Sequence, residues 1–272
     1  MNKLKNRLFL NFITVNISVI LSSTMLISLS SAQAISVQGA PPPEEQFSDD
    51  GEQKNIKKLS SAIFAGSNFR SESSFGYFGF IHATNGDLAK NGFLLRAAGL
   101  YNQYSYSSTA VTGGRVNADA GLTEALVGYQ LFINSYLVRG FIGLDYEGHN
   151  LIPFNTYDYN GHTSAGIKLF THFETPYINP LYAQALIGYG TAKDRLWTQF
   201  RTGYNFGPII MGPEFYVMRN PASYDRRVGG FMGFRLPQLY PLELSISSGY
   251  SRVPKNRSQN SLYGTLEMST AF

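Results

Sequence analysis

Few residues in this 272-residue sequence combine type and spacing in a way that could do chemistry. His162-Thr163-Ser164 sets an imidazole and a hydroxyl two positions apart, and on a strand such a pair shares one face, where a base could activate a serine. Eleven charged residues recur in otherwise uncharged stretches: Arg96, Arg139, Asp145, Glu147, Lys168, Arg195, Arg201, Glu214, Arg227, Arg235 and Glu267. His82, His149 and His172 are scattered, with no second ligand at metal-binding spacing, so the expectation for each is an interfacial or loop position and no metal. There is no cysteine, which removes thiolate ligands and disulfides. Gly113-Gly114 is followed by no helical pattern, so it reads as a turn and not as a phosphate cradle. No cofactor site is expected.

The elements that must hold these residues are strands. From Leu59 onward Gly, Tyr, Phe and Ser dominate, and segments of about ten residues recur between turn signals. Twelve such segments can be drawn: 59–69, 74–84, 92–106, 118–132, 135–149, 162–173, 181–191, 195–205, 209–220, 224–236, 242–250 and 261–272. Alternation is clearest late in the chain. Leu262, Leu266, Met268, Thr270 and Phe272 fall on one face, and Tyr263, Thr265, Glu267 and Ser269 on the other. Leu196, Thr198, Phe200, Thr202 and Tyr204 likewise oppose Arg195, Gln199, Arg201 and Asn205, with Trp197 the one exception to the polar face.

No stretch after Ala34 is apolar for the 18 or so residues a membrane helix needs, and only a closed barrel could otherwise satisfy the backbone inside a bilayer. The expected fold is therefore all-β: a transmembrane antiparallel up-and-down β-barrel of about 12 strands over residues 59–272. Such a barrel puts its apolar face on lipid and its charged face in the lumen, where charges of both signs fill the interior. Short connections (Asn134-Ser135, Asp194, Gly207-Pro208) are expected at the periplasmic end and long ones (107–117, 150–161, 251–260) outside.

Residues 1–34 begin with Lys3, Lys5 and Arg7, continue through a largely apolar stretch and end on Ala32-Gln33-Ala34, the pattern of a cleaved signal peptide. Removing them takes three of the 22 Lys and Arg and none of the 18 Asp and Glu, leaving 19 against 18. A nearly neutral mature chain offers no basic face for nucleic acid. Residues 35–58, with Pro41-Pro42-Pro43 and five acidic residues from Glu44 to Glu52, are expected to be a disordered periplasmic lead-in. The whole points to the outer membrane of a Gram-negative bacterium, surrounded by outer-membrane lipid.

A terminal aromatic on an alternating last strand resembles the signal that the barrel assembly machinery reads, which makes that machinery an expected partner through Phe272. Outer-membrane phospholipase A also carries a His-x-Ser pair in a twelve-stranded barrel. Here, however, Lys168 shares the face of His162 and Ser164, the flanking Tyr159-Asn160-Gly161 does not resemble that enzyme's motif, and no enzyme is expected. Several stretches together are similar to the cellulose biosynthesis protein BcsS family of alphaproteobacterial outer-membrane proteins. They are Asn85-Gly86-Asp87-Leu88-Ala89-Lys90-Asn91-Gly92-Phe93-Leu94-Leu95-Arg96, Val127-Gly128-Tyr129-Gln130, Gly143-Leu144-Asp145-Tyr146-Glu147-Gly148-His149, Gly212-Pro213-Glu214, Tyr224-Asp225-Arg226-Arg227-Val228-Gly229-Gly230-Phe231, Gly249-Tyr250 and Tyr263-Gly264-Thr265.

The resemblance implies a non-enzymatic component of cellulose synthesis and secretion, with the cellulose chain and other secretion components as its partners. Charged positions in the matching stretches single out Arg96, Asp145, Glu147, Glu214 and Arg227 as a candidate lumen network. Independently of family, a polar interior rich in Tyr and Arg suits contact with a neutral hydroxylated polymer. The rival functions are a lipid-processing enzyme using His162 and Ser164, and a structural or adhesion barrel working through its outer loops.

Overall fold

The computed structural model describes residues 58–107, 114–152, 163–176, 179–221, 224–236, 241–252 and 261–272. Residues 1–34, expected to be a signal peptide, nearly all of the proline-rich segment 35–58, and His162 lie outside the described residues. Twelve strands run in order: β1 (Ser61–Arg70), β2 (Ser73–Ala83), β3 (Gly92–Ser107), β4 (Arg115–Ile133), β5 (Tyr136–Ile152), β6 (Ser164–Glu174), β7 (Leu181–Gly190), β8 (Arg195–Asn205), β9 (Ile209–Arg219), β10 (Tyr224–Leu236), β11 (Leu242–Arg252) and β12 (Ser261–Ala271). Each pairs antiparallel with its sequence neighbours, and β1 pairs with β12, so the sheet closes with no free edge.

Period-two patterning decides which face goes where. In β6 the residues from Lys168 to Glu174 alternate buried and exposed, with Lys168, Phe170, His172 and Glu174 pointing inward and Leu169, Thr171 and Phe173 outward. Around the outside, Phe93, Val127, Ile142, Leu144, Ile167, Phe200, Phe215 and Leu262 stand exposed and make the apolar belt that faces lipid. A slip of one residue would exchange the two sets, so burying charge inside fixes the register.

The seam is closed by the last residue. The Phe272 carbonyl accepts bonds from the Ser60 and Ser61 amides at 3.0 Å each, and the Phe272 amide donates to the Ser61 carbonyl at 2.8 Å. Between β4 and β5 the turn is only Asn134-Ser135, with φ of 50° and 71°. Both central residues of a type I′ hairpin need positive φ, which Asn tolerates better than Ser.

Connection length follows the two ends only in part. The connection 191–194, ending in Asp194, and the two-residue link Ser71-Glu72 sit at the end opposite Phe272, together with the long connections 108–114, 153–163 and 253–260. Odd-to-even connections must lie at that end whatever their length, which corrects the placing of Asp194 among the periplasmic turns. Strand length is also uneven: β3, β4 and β5 have 16, 19 and 17 residues, whereas β1 and β7 have 10.

Candidate functional site

The inward faces of twelve strands converge on one bore, and side chains of opposite walls meet there. Arg96 of β3 is the central case. Its guanidinium lies between the rings of Phe64 and Phe170, 4.7 Å from each centroid. Phe64 is on β1 and Phe170 on β6, almost diametrically opposed in a ring of twelve. Ring, guanidinium and ring therefore span the bore, each buried from water.

The charge of Arg96 is matched by Glu124 of β4, which accepts from Nε and Nη2 at 2.9 Å. Glu124 also pairs with Lys168 of β6, so one carboxylate holds two cations. Such a tie needs both signs, because any of the three left alone would be a bare charge in a dry interior.

From Phe170 the aromatic contacts continue. Trp197 stacks on Phe170 at 5.7 Å and on Tyr216 at 6.5 Å, and Phe141 packs against Phe170 at 5.9 Å. Tyr216 in turn lies under the guanidinium of Arg227 at 4.6 Å, with Tyr263 5.6 Å away from the same group. Trp197, the exception to the polar face of β8, is thus a structural member of the bore. A narrow barrel filled by side chains gains from stacked rings inside, where they are as dry as in a protein core.

The remaining charges pair in separate groups. Glu214 accepts from Arg201 (Nε at 2.6 Å), Gln199 (2.7 Å) and Tyr263 (3.1 Å), while Arg201 also reaches Glu267 of β12 at 2.9 Å. Asp225 holds Arg227 at 2.9 Å and Arg70 of β1 at 3.1 Å, and accepts from Ser251 at 2.7 Å. Glu147 pairs with Arg195 and accepts from His149 at 2.6 Å. Arg235 meets Glu243 at 3.4 Å.

The five residues of the candidate network all face the bore and are buried, but no bond joins them directly. Arg96, Glu147, Glu214 and Arg227 each take a partner from outside the set: Glu124, Arg195, Arg201 and Asp225. Asp145 fits beside Gly190, where any side chain would collide with its carboxylate, and one of its oxygens has no hydrogen-bond partner among the described residues. What links Arg96 to Arg227 is the row of rings between them.

Two histidines correct their expected places. His149 and His172 are inside the bore: His149 accepts or donates to Tyr104 at 2.9 Å besides meeting Glu147, and His172 is fully buried with Glu174 at 3.4 Å. Only His82 stays near a strand end, bonded to Ser61 at 3.0 Å. Among the described residues no group of three His, Asp or Glu is placed to hold a metal. Ser164 faces the bore, half-buried, and its proposed base His162 lies outside the described residues.

The Phe272 end of the bore is shut differently. The connection 84–91 folds under the barrel, with Leu88 fully buried and its amide bonded to the Leu59 carbonyl at 2.8 Å. Asn85 and Asp87 side chains accept from the amides of Asp87 and Ala89 and hold the loop in shape. From above, the Gln130 amide donates to the carbonyls of Leu88 (2.9 Å) and Lys90 (2.6 Å), and its oxygen accepts from Arg139 at 3.1 Å. Gly86, with φ of 76°, makes the tight turn that sends Leu88 inward.

Comparison with known proteins bears on this architecture. Among solved structures the chain is similar to an outer membrane channel from Pseudomonas putida F1 (11% identity, TM-score 0.49, 83% of this chain and all of that one). It is also similar to the KdgM porin (9%, 0.44, 78% and 99%) and to the beta domain of the Bordetella autotransporter Brka (10%, 0.48, 79% and 100%). No curated protein matches. A family model described as cellulose biosynthesis protein BcsS matches residues 62–272, from the second residue of β1 to the carboxyl terminus. Since that match takes in all twelve strands, the loop that seals the Phe272 end and every charged tie across the bore, the chain belongs to the cellulose biosynthesis protein BcsS family and is a barrel of the Gram-negative outer membrane.

Proposed function

We propose that this barrel is a non-enzymatic accessory of cellulose biosynthesis and secretion, acting through its rim and outer connections and not by passing polymer along its bore. One observation carries the second half of that reading: Phe64 and Phe170, from nearly opposite strands, close on the Arg96 guanidinium at 4.7 Å each and leave no room between them for a glucan. The tyrosines and arginines that could have offered stacking faces to a sugar are spent on one another in the interior. Family membership supports the cellulose half. On this reading the outer-membrane lipid is met by the apolar belt, assembly is directed through Phe272, and the cellulose chain and other secretion components are met at the exposed ends.

The test is cellulose secretion, scored by dye binding and polymer yield, in a strain lacking the chain and again with it restored, alongside conductance of the purified barrel in a planar bilayer. Loss of cellulose with rescue, and no steady conductance, is the expected result. A steady open pore would replace the accessory by a conduit. Normal cellulose without the chain would remove the pathway role and favour a structural or adhesion barrel.

A further inference from the structure

Inside the bore Arg70, Arg96, Arg195, Arg201, Arg227 and Arg235 each have a carboxylate beside them; Arg219, Arg226 and Arg252, which point outward, have none among the described residues. Arg219 ends β9, Arg226 is the third residue of β10, and Arg252 ends β11, all on the outer face at the end opposite Phe272 and all exposed. Register brings them together. Arg226 is directly opposite Arg252, and Tyr224, two positions before Arg226 on the same face, is directly opposite Arg219. Directly opposed side chains start about 5 Å apart and diagonal ones about 7–8 Å apart, so the three guanidiniums occupy one small area.

Like charges directly opposite across a strand pair destabilise the sheet unless something of the other sign lies between them. Among the described residues none of the three makes an ion pair. The adjoining connections 220–223 and 253–260 contain no Asp or Glu, and the second adds Lys255 and Arg257. Arg226 is held in place on its own strand: its guanidinium sits 4.5 Å over the Tyr224 ring and its Nε donates to the Tyr224 hydroxyl at 2.5 Å. The contrast within one strand is direct, since Arg227, the next residue, turns inward to Asp225.

Their height on the barrel names the counter-ion. Immediately below the row, on the same outer face, come Val217, Val228 and Tyr250, the upper edge of the apolar belt. Charge on the lipid face is costly at mid-bilayer and nearly free at the interface, where phosphate groups of lipids lie. Arginine forks fit phosphate oxygens bidentately. With the long connections placing this end outside, the phosphates at that level belong to the outer leaflet. We infer that Arg219, Arg226 and Arg252, with Tyr224, form a binding site for a phosphate monoester on the headgroup of an outer-leaflet glycolipid, a role independent of the cellulose reading.

The test uses the full-length protein folded in a zwitterionic detergent, titrated with bisphosphorylated lipid A, with the same lipid after removal of its phosphates, and with inorganic phosphate as competitor. The wild-type chain should prefer the phosphorylated lipid. R219Q/R226Q/R252Q should lose on the order of 100-fold in affinity, and Arg252→Gln alone about fivefold, the scale of one basic residue at an anionic surface. Unchanged heat-modifiable migration certifies that each variant is folded, and the single variant serves if the triple one is not. Equal affinity for the dephosphorylated lipid, or a triple variant that binds like wild type, would overturn the site. Competition by inorganic phosphate at the affinity of the lipid would assign it to a free anion and sink the lipid as its ligand.

Discussion

The middle of the bore and its Phe272 end are both closed, by opposite means. In the middle, Arg96, Glu124 and Lys168 reach across from three strands, and the rings of Phe64 and Phe170 flank the guanidinium. At the end, a folded connection inserts an uncharged side chain, Leu88, and is pinned through backbone groups by Gln130. A closure made of charges is strong only while it is complete, because each ion depends on its counter-ion for want of water. A closure made of apolar volume and main-chain bonds loses strength in proportion to what is removed. The middle should therefore fail abruptly and the end gradually.

The largest effect is expected for Glu124→Leu, which strands Arg96 and Lys168 as buried cations: a loss of about 3–5 kcal/mol, read from urea unfolding of the barrel in lipid vesicles. If the loss is small, water has entered and the middle is not dry. Next comes Leu88→Ala, expected to cost about 2–4 kcal/mol from lost burial and the cavity left behind, with no change in the tie above it. Glu214→Leu sharpens the comparison within the charged group, since Arg201 keeps Glu267 as a partner while Gln199 and Tyr263 lose their acceptor. A cost of about 2–3 kcal/mol is expected, less than for Glu124. It should also reduce cellulose output, and unchanged migration on heating together with unchanged cellulose would take Glu214 out of the functional set. Gln130→Ala should cost about 1–2 kcal/mol by leaving the Leu88 and Lys90 carbonyls without that donor. Lys90→Gln, which removes an exposed ammonium 3.7 Å from the Asp87 carboxylate, should change stability by no more than about 0.5 kcal/mol, and a larger shift would mean the end relies on charge after all.

Much of this molecule was legible in sequence, and the reason is the two-residue period. A strand with lipid on one side and a bore on the other must alternate, so twelve segments, eleven inward charges and the closing role of Phe272 can be read from residue order alone, whereas Glu124, Asp225 and Arg70, which complete the ties, are not among them. The contents of the bore were less legible. Trp197 breaks the rule that the inner face is polar, because that rule belongs to wide, wet barrels, whereas here the interior is packed like a core and accepts rings. His149 and His172 were misplaced for the same reason. Pairing was hidden by geometry: Glu214 and Arg201 sit directly across adjacent strands, but Arg70 finds Asp225 three strands away, and Arg201 finds Glu267 four strands away. No spacing along one chain announces a meeting across a cylinder. The loop 84–91 stands out in sequence only as a stretch similar to the family, and the fold gives it a role: it is a stopper, built from an Asx turn, a positive-φ glycine and one leucine.

The unequal strands give the barrel a profile. Ten or eleven tilted residues are enough to cross the apolar layer, so the 19 of β4 carry it about eight residues further, roughly 26 Å along the strand at about 3.3 Å per residue and roughly 20 Å of height once a tilt of about 40° is allowed for. Outward residues at that end of β3, β4 and β5, among them Gln103, Asn117, Asp119 and Asn150, are ones that belong in water. β4 stands six places from β10 around the ring, opposite the outward arginines. At the end opposite Phe272 the described strands make a scoop: a tall hydrophilic wall of β3, β4 and β5 on one side, and the shorter β9, β10 and β11 on the other. On the cellulose role proposed above, a fibre leaving beside the barrel would meet a barrier from one direction and a sill from the other, so the way the scoop faces would set which side of the surface the fibre lies along.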